Sequence, residues 1–171
     1  MDITVRKAVV TDAPLIGQVR KTVWSETYRG IYPDEKIDRF DVSFHLERDR
    51  RILSDERQHF YLFEDGDRCV GYFSFGPYVY GTYKDFELCL NSLYLCREYK
   101  GKGLGKQAFS MLRSYARANG IHKFFCGCNA HNFAAQGFYR HMGGVMGVSS
   151  IGHPDKSEDL IYFEFTTGDT V

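Results

Sequence analysis

The stretch YKGKGLGKQAF, residues 99–109, sets three glycines and three lysines between Lys100 and Lys106 and then enters an apolar pattern of helical spacing. Leu104, Ala108, Leu112, Tyr115 and Ala116 carry that pattern until Asn119-Gly120 supplies a stop. Just upstream, FELCLNSLYLC (residues 86–96) reads as a strand. A helix that opens at this point leaves its first backbone N–H groups without partners inside the helix. Glycine at positions 101, 103 and 105 removes the side chains that would keep a ligand from those donors. The aligned peptide dipoles add roughly half a positive charge there, and Lys100, Lys102 and Lys106 add full ones. These features together make a seat for an anion, most naturally a phosphate.

Two common phosphate loops do not match. A Walker A loop needs Ser or Thr after its Gly-Lys, and Gly105-Lys106 is followed by Gln107. A dinucleotide fingerprint read as Gly103-x-Gly105-x-x-Ala108 needs an acid about 20 positions later to hold the ribose. The first acid downstream is Asp155.

Charge is distributed unevenly around the motif. The chain balances 22 Lys and Arg against 22 Asp and Glu, yet residues 99–154 contain no acid at all. Lys100, Lys102, Lys106, Arg113, Arg117, Lys123 and Arg140 all lie in that stretch, so one part of the chain suits an anion and the remainder suits a cation. With a pI near 7 and aromatic residues not interleaved with the basic ones, a nucleic-acid partner is not expected.

Outward from the motif the elements alternate. Ile3 to Ala8 reads as a strand, and Thr11-Asp12 before Pro14 opens a helix carrying Leu15, Ile16, Val19, Val23 and Trp24, which ends near YRGIYP (28–33). A second, highly charged helical region spans Asp34 to Ser54. HFYLFE (59–64) and CVGYFSFGPYV (69–79), joined by DGDR, predict an antiparallel hairpin. HKFFCGC (122–128) is a short buried strand, Phe133 to Met142 a short helix capped by Asn132, and Val145–Ile151 and Leu160–Phe165 two closing strands. The order β-α-α-β-β-β-α-β-α-β-β predicts a mixed sheet with helices on both faces, in a single domain over residues 1–171. No leader or membrane helix is read in the opening residues, so the expected location is cytoplasmic with no membrane partner. Cys69, Cys89, Cys96, Cys126 and Cys128 are an odd set without a C-x-x-C pair, and buried free thiols are expected. The histidines show no metal-ligand spacing, so no metal is expected.

LYLCREYKGKGLGKQAF resembles motif A of the GNAT acetyltransferase superfamily, a strand followed by Q/R-x-x-G-x-G/A and a helix. Here the element is Lys100-Gly101-Lys102-Gly103-Leu104-Gly105, with Lys in place of the usual Gln or Arg, which keeps the charge and loses the planar fork. NFAAQGFYRHMGG resembles the family's N-x-x-A-x-x-F-Y pattern through Asn132, Ala135, Phe138 and Tyr139. WSETYRGIYP (24–33) is similar to the loop after the first helix in bacterial spermidine/spermine N-acetyltransferase-like members.

The resemblance implies a mostly antiparallel sheet of about seven strands with helices on both faces, and an acetyl-CoA-dependent N-acetyltransferase. Residues 100–106, with Asn132 and Tyr139, would hold the coenzyme, and the backbone of Leu93, Tyr94 and Leu95 would pair with its pantetheine arm. Tyr139 matches the tyrosine that protonates the departing thiolate. Glu26, Tyr28 and Tyr32 would grip a small cationic amine such as a polyamine. For the base, CGCNAH (126–131) holds no acid, while strand alternation sets Glu87 on the face of Asn91, Leu93 and Leu95. Glu87 or a water chain is then left to take the proton. Without a nucleophile-elbow Ser or Cys, direct attack in a ternary complex is expected. The alternatives are a protein amino terminus or lysine as acceptor, or a non-catalytic acyl-CoA-binding module. An edge strand among the last two is placed to pair with a second copy of the chain as a homodimer.

Overall fold

The computed structural model describes residues 3–168. Seven strands, β1 (Ile3–Lys7), β2 (His59–Asp65), β3 (Arg68–Gly76), β4 (Cys89–Leu95), β5 (Lys123–Asn129), β6 (Val145–Ser150) and β7 (Leu160–Thr166), form one sheet in the order β1-β2-β3-β4-β5-β7-β6. Every neighbouring pair is antiparallel except β4 and β5. Five α-helices intervene: α1 (Ala13–Tyr28), α2 (Asp34–Asp38), α3 (Val42–Ser54), α4 (Leu104–Ala118) and α5 (Phe133–His141). The order and the mostly antiparallel sheet agree with the sequence reading.

Alternation sorts the helices onto two faces. On one face Phe60 of β2 stacks on Tyr72 of β3, whose hydroxyl accepts a hydrogen bond from Arg20 Nε of α1 at 3.0 Å. On the other, Phe73 and Phe75 stack on Tyr61, and Tyr115 of α4 packs against Phe75. No helix among the described residues is long and apolar enough to cross a membrane.

Three boundaries differ from expectation, each for a local reason. The helical region expected over 34–54 is two helices, because Asp41 accepts a hydrogen bond from the Ser43 amide at 2.8 Å and starts α3 afresh. Strand β3 stops at Gly76, with φ at +152°, immediately before Pro77. Strand β4 begins at Cys89, so Glu87 lies in the preceding loop, exposed. A bulge at Asn91, where Phe75 pairs with Leu90 and Ser74 with Ser92, also resets the parity on which a shared face for Glu87, Leu93 and Leu95 depended.

The helical layer is fastened by charge. Arg20 and Asp49, both buried, form a two-pronged pair at 2.9 Å that ties α1 to α3 above the Tyr72 hydroxyl. Replacing one partner strands the other charge in an apolar layer. Asp49→Asn should therefore lower unfolding free energy by about 3–5 kcal/mol in urea titrations; a loss under about 1 kcal/mol would show that water reaches the pair.

Candidate active site

The cleft begins where two strands part. Strand β4 pairs with β5 at only two positions, Cys89 with Phe125 and Leu90 with Cys126, and beyond Leu90 its second edge has no partner strand. Asn91 holds the parting in place. Its Oδ1 accepts from the Val79 amide at 3.2 Å, and its Nδ2 donates to Gln58 Oε1 and the Pro77 carbonyl at 3.1 and 3.0 Å. A cavity of about 400 Å³ occupies the gap.

The start of α4 stands at the mouth of this cavity. The first intrahelical bond runs from the Gln107 amide to the Gly103 carbonyl, and no side chain caps the helix, so the amides of Leu104, Gly105 and Lys106 have no helical acceptor. Gly103 sits in the left-handed region, φ +86°, where a side chain would be strained. A Cβ on Gly105 would come within 2.7 Å of the Phe138 ring, so glycine there lets α5 close on α4.

Most predicted site residues meet here. Leu93, Tyr94, Leu95, Lys100, Gly101, Gly103, Gly105, Lys106, Asn132, Tyr139 and Tyr28 all line the cavity. Leu104 is buried in the core beneath it. Lys102 points its ammonium over the Tyr99 ring, 4.9 Å from the centroid, outside the lining.

The acceptor residues assemble less completely. Glu26 is turned toward the loop after β4, where its carboxylate accepts from the Arg97 amide at 2.7 Å while its carbonyl takes Arg97 Nη2 at the same distance. Tyr32 stacks on Tyr28 at 4.4 Å and lines a separate, shallower depression with Asp34, Asp155 and Lys156. Glu87 lines neither cavity. The deep cavity has no carboxylate in its lining at all, and its only charged side chains are Lys100 and Lys106.

Burial governs the titratable groups that remain. It pushes the Tyr139 phenol far above its ordinary range, with neighbouring Cys126 and Cys128 adding to the effect. Tyr28 rises for the same first reason, and Cys128 is pushed up to about 12. All five cysteines are free, and Cys128 is the half-buried one that reaches the cavity. A thiol held that high offers no thiolate near neutrality.

Several participants gave no signal in the sequence. Asn91, Ser92 and Cys128 line the cavity without belonging to any motif, and Thr27 lines it from within the WSETYRGIYP stretch, where only its neighbours Glu26 and Tyr28 stood out. Beside Asn132, a buried Asp159 accepts hydrogen bonds from the His153 amide at 2.9 Å, His131 Nε2 at 2.7 Å and His153 Nδ1 at 2.8 Å. Those bonds hold its carboxyl well below the usual range and tie the β6–β7 connection to the turn that caps α5. The Asn132 side chain accepts from the Ala135 amide at 3.1 Å.

The model of the Acetyltransferase (GNAT) family matches residues 20–143, from the middle of α1 to the end of α5. The chain belongs to the GNAT acetyltransferase family.

Solved GNAT-fold structures overlay the whole chain. PaiA N-acetyltransferase from Thermoplasma acidophilum, in complex with coenzyme A, shares 21% identity over 96% of this chain and 100% of its own, with a TM-score of 0.69. YncA from Salmonella typhimurium, solved with its cofactor acetyl-CoA, shares 21% over 99% and 96%, at 0.67. The ribosomal-protein-S18-alanine N-acetyltransferase of Escherichia coli shares 14% over 99% and 97%, at 0.69. No curated protein matches the chain by sequence.

As a GNAT acetyltransferase, the chain uses acetyl-CoA as its acetyl donor, and the site fits that molecule. An uncapped helix start with two lysines suits a diphosphate, and the open edge of β4 offers backbone groups to an extended amide-bearing arm. Lys100→Gln with Lys106→Gln should weaken coenzyme A binding roughly 10-fold in calorimetry at low salt. The affinity for acetyl-pantetheine, which lacks the diphosphate, should stay unchanged. Equal losses for both ligands would place the lysines elsewhere in recognition.

Proposed function

We propose that this enzyme transfers the acetyl group to the primary amine of a small molecule by direct attack in a ternary complex, with Tyr139 as the acid. The single observation that carries the reading is the enclosed gap between β4 and β5, where an uncapped helix start and a buried phenol face one cavity. Its volume suits the end of a pantetheine arm together with a small acceptor.

When bound, acetyl-CoA supplies an activated acyl group on sulfur. The residues of this chain do the rest. The amides at the start of α4, with Lys100 and Lys106, fix the diphosphate, and the free edge of β4 at Leu93–Leu95 aligns the arm and offers N–H groups toward the carbonyl oxygen. Tyr139 stays protonated near neutrality and, lining the cavity, would supply that proton to the leaving sulfur. The walls that raise this phenol also raise the thiols of Cys126 and Cys128. The same burial would make a thiolate leaving there a stronger base, which opposes the weakening of Tyr139 as an acid.

Cys128 is protonated near neutrality and supports no acyl-enzyme route. A polyamine would require a counter-charge. Glu26 is engaged by Arg97, Asp34 and Asp38 by Arg29, and Asp155 lies 3.7 Å from Lys36, so none of these carboxylates stands open in the deep cavity.

Tyr139→Phe should lower kcat about 100-fold or more with the KM for acetyl-CoA little changed. The pH profile separates acid from packing residue. Because the folded-state phenol lies above its ordinary value of about 10, the wild-type rate should climb as the acceptor amine loses its proton and show no decline up to about pH 10. An unchanged kcat in the variant would remove Tyr139 from the chemistry.

A further inference from the structure

Beyond Tyr94, on the α1 face of the sheet, two guanidinium groups and an indole N–H surround a single carboxylate and the hydroxyls of Tyr72 and Tyr80. Asp49 is already bound by both prongs of Arg20 at 2.9 Å, yet a second guanidinium, Arg48, stands 3.5 Å from the same carboxylate. Two guanidinium groups share one carboxylate, and one positive charge is left over. The Arg48 side chain remains 30% exposed, touches the Tyr80 hydroxyl at 3.4 Å and leaves its Nε without a hydrogen-bond partner. Trp24 Nε1, beside the Tyr94 hydroxyl, is likewise buried without a partner of normal geometry. Indole and guanidinium N–H groups can only donate. Two orphaned donors of that kind, one of them on the surplus cation itself, call for an acceptor-only, negatively charged group.

The placement borders the chemistry: Arg48, Trp24 and Tyr80 lie outside the lining of the deep cavity and reach it through Tyr94 and Tyr28. Tyr94 lines the deep cavity, and Arg20, Tyr80 and Arg48 act electrostatically on its hydroxyl. Trp24 packs edge-on against Tyr28, which lines the same cavity, and against Phe40. His45, the other titratable group on this side of α3, is pushed toward its neutral form by burial and by Arg48 and Arg20, against weaker opposition from Asp49 and Asp41. The local field is therefore positive.

We propose that Arg48 and Trp24, with the Tyr80 and Tyr94 hydroxyls, form an anion subsite, and that the acceptor is a primary amine that also bears a carboxylate. This rests on the acetyl-transfer reading above and adds to it the substrate class and Arg48 as a specificity determinant. A guanidinium meeting a carboxylate two-pronged gives both affinity and orientation, which a neutral or cationic amine would lack.

The test is coenzyme A release with matched pairs, phenylalanine against phenethylamine and leucine against isopentylamine, with spermidine as the polycation, all compared at equal concentration of free amine. The wild-type protein should favour the carboxylate-bearing partner by about 10- to 100-fold in kcat/KM. Arg48→Gln should collapse that preference to about threefold or less through KM, Arg48→Lys should keep part of it, and Trp24→Phe should lower it. Melting in the presence of coenzyme A confirms that each variant is folded. Equal turnover within the pairs, preferred turnover of spermidine, or a preference that survives Arg48→Gln overturns the subsite and leaves the enzyme reading standing. Coenzyme A binding with no turnover of any amine overturns both.

Discussion

The structure depends on a parallel strand pair that fails to stay paired. Strands β4 and β5 meet at two positions and then diverge, leaving one edge of β4 open inside the molecule. An open edge normally invites aggregation or must be covered, and buried backbone groups without partners are costly. Here both sides of the opening are braced. On the β4 side Asn91 commits its amide to Val79, Gln58 and Pro77. On the β5 side Tyr83 stacks on Phe125 at 4.5 Å and packs at a tilt against Tyr162 at 4.6 Å, so the loop between β3 and β4 clamps β5 to β7. Because β4 leads directly to the glycine loop, the same geometry brings the positive end of α4 to the mouth of the gap.

What could be read from the sequence is what backbone conformation demands of residue identity. Gly103 must tolerate a positive φ and Gly105 must admit the Phe138 ring, so both needs are written as glycine in the chain. The hairpin of β2 and β3 was legible because two apolar, strand-like runs flank a short polar turn that holds Gly66 at φ +58°. Asn132 was legible as a cap because the cap bond is local. The cofactor side of the site, built from contiguous motifs on one strand and two helix starts, follows from these.

The acceptor side was not legible, because its residues are assigned by contacts far apart in sequence. Glu26 looked available for a cation, but Arg97, 71 residues away, claims it. Glu87 was placed by counting alternation across Asn91, and a bulge is a break that alternation cannot reveal. Arg48 and Asp49 do not stand out among the many charges of the helical region over 34–54. Only when Arg20 arrives from α1 and saturates Asp49 does Arg48 become a surplus. The group of His131, His153 and Asp159 likewise joins two loops that share no periodic signal.

The distribution of charge also bears on the missing base. At the mouth of the cleft stand Lys100, Lys106 and the start of α4; outside its lining, beyond Tyr94, two guanidinium groups share one carboxylate. Between them the lining is largely apolar and contains no Asp, Glu or His. An ammonium entering that space loses hydration and meets positive charge on both sides, and each effect favours its neutral, nucleophilic form. A carboxylate elsewhere on the same molecule would be drawn to the far end and away from the reacting nitrogen. On the proposed reading, the field that would select the acceptor would also unmask its amine, and a proton released this way could leave to solvent without a side chain dedicated to receive it.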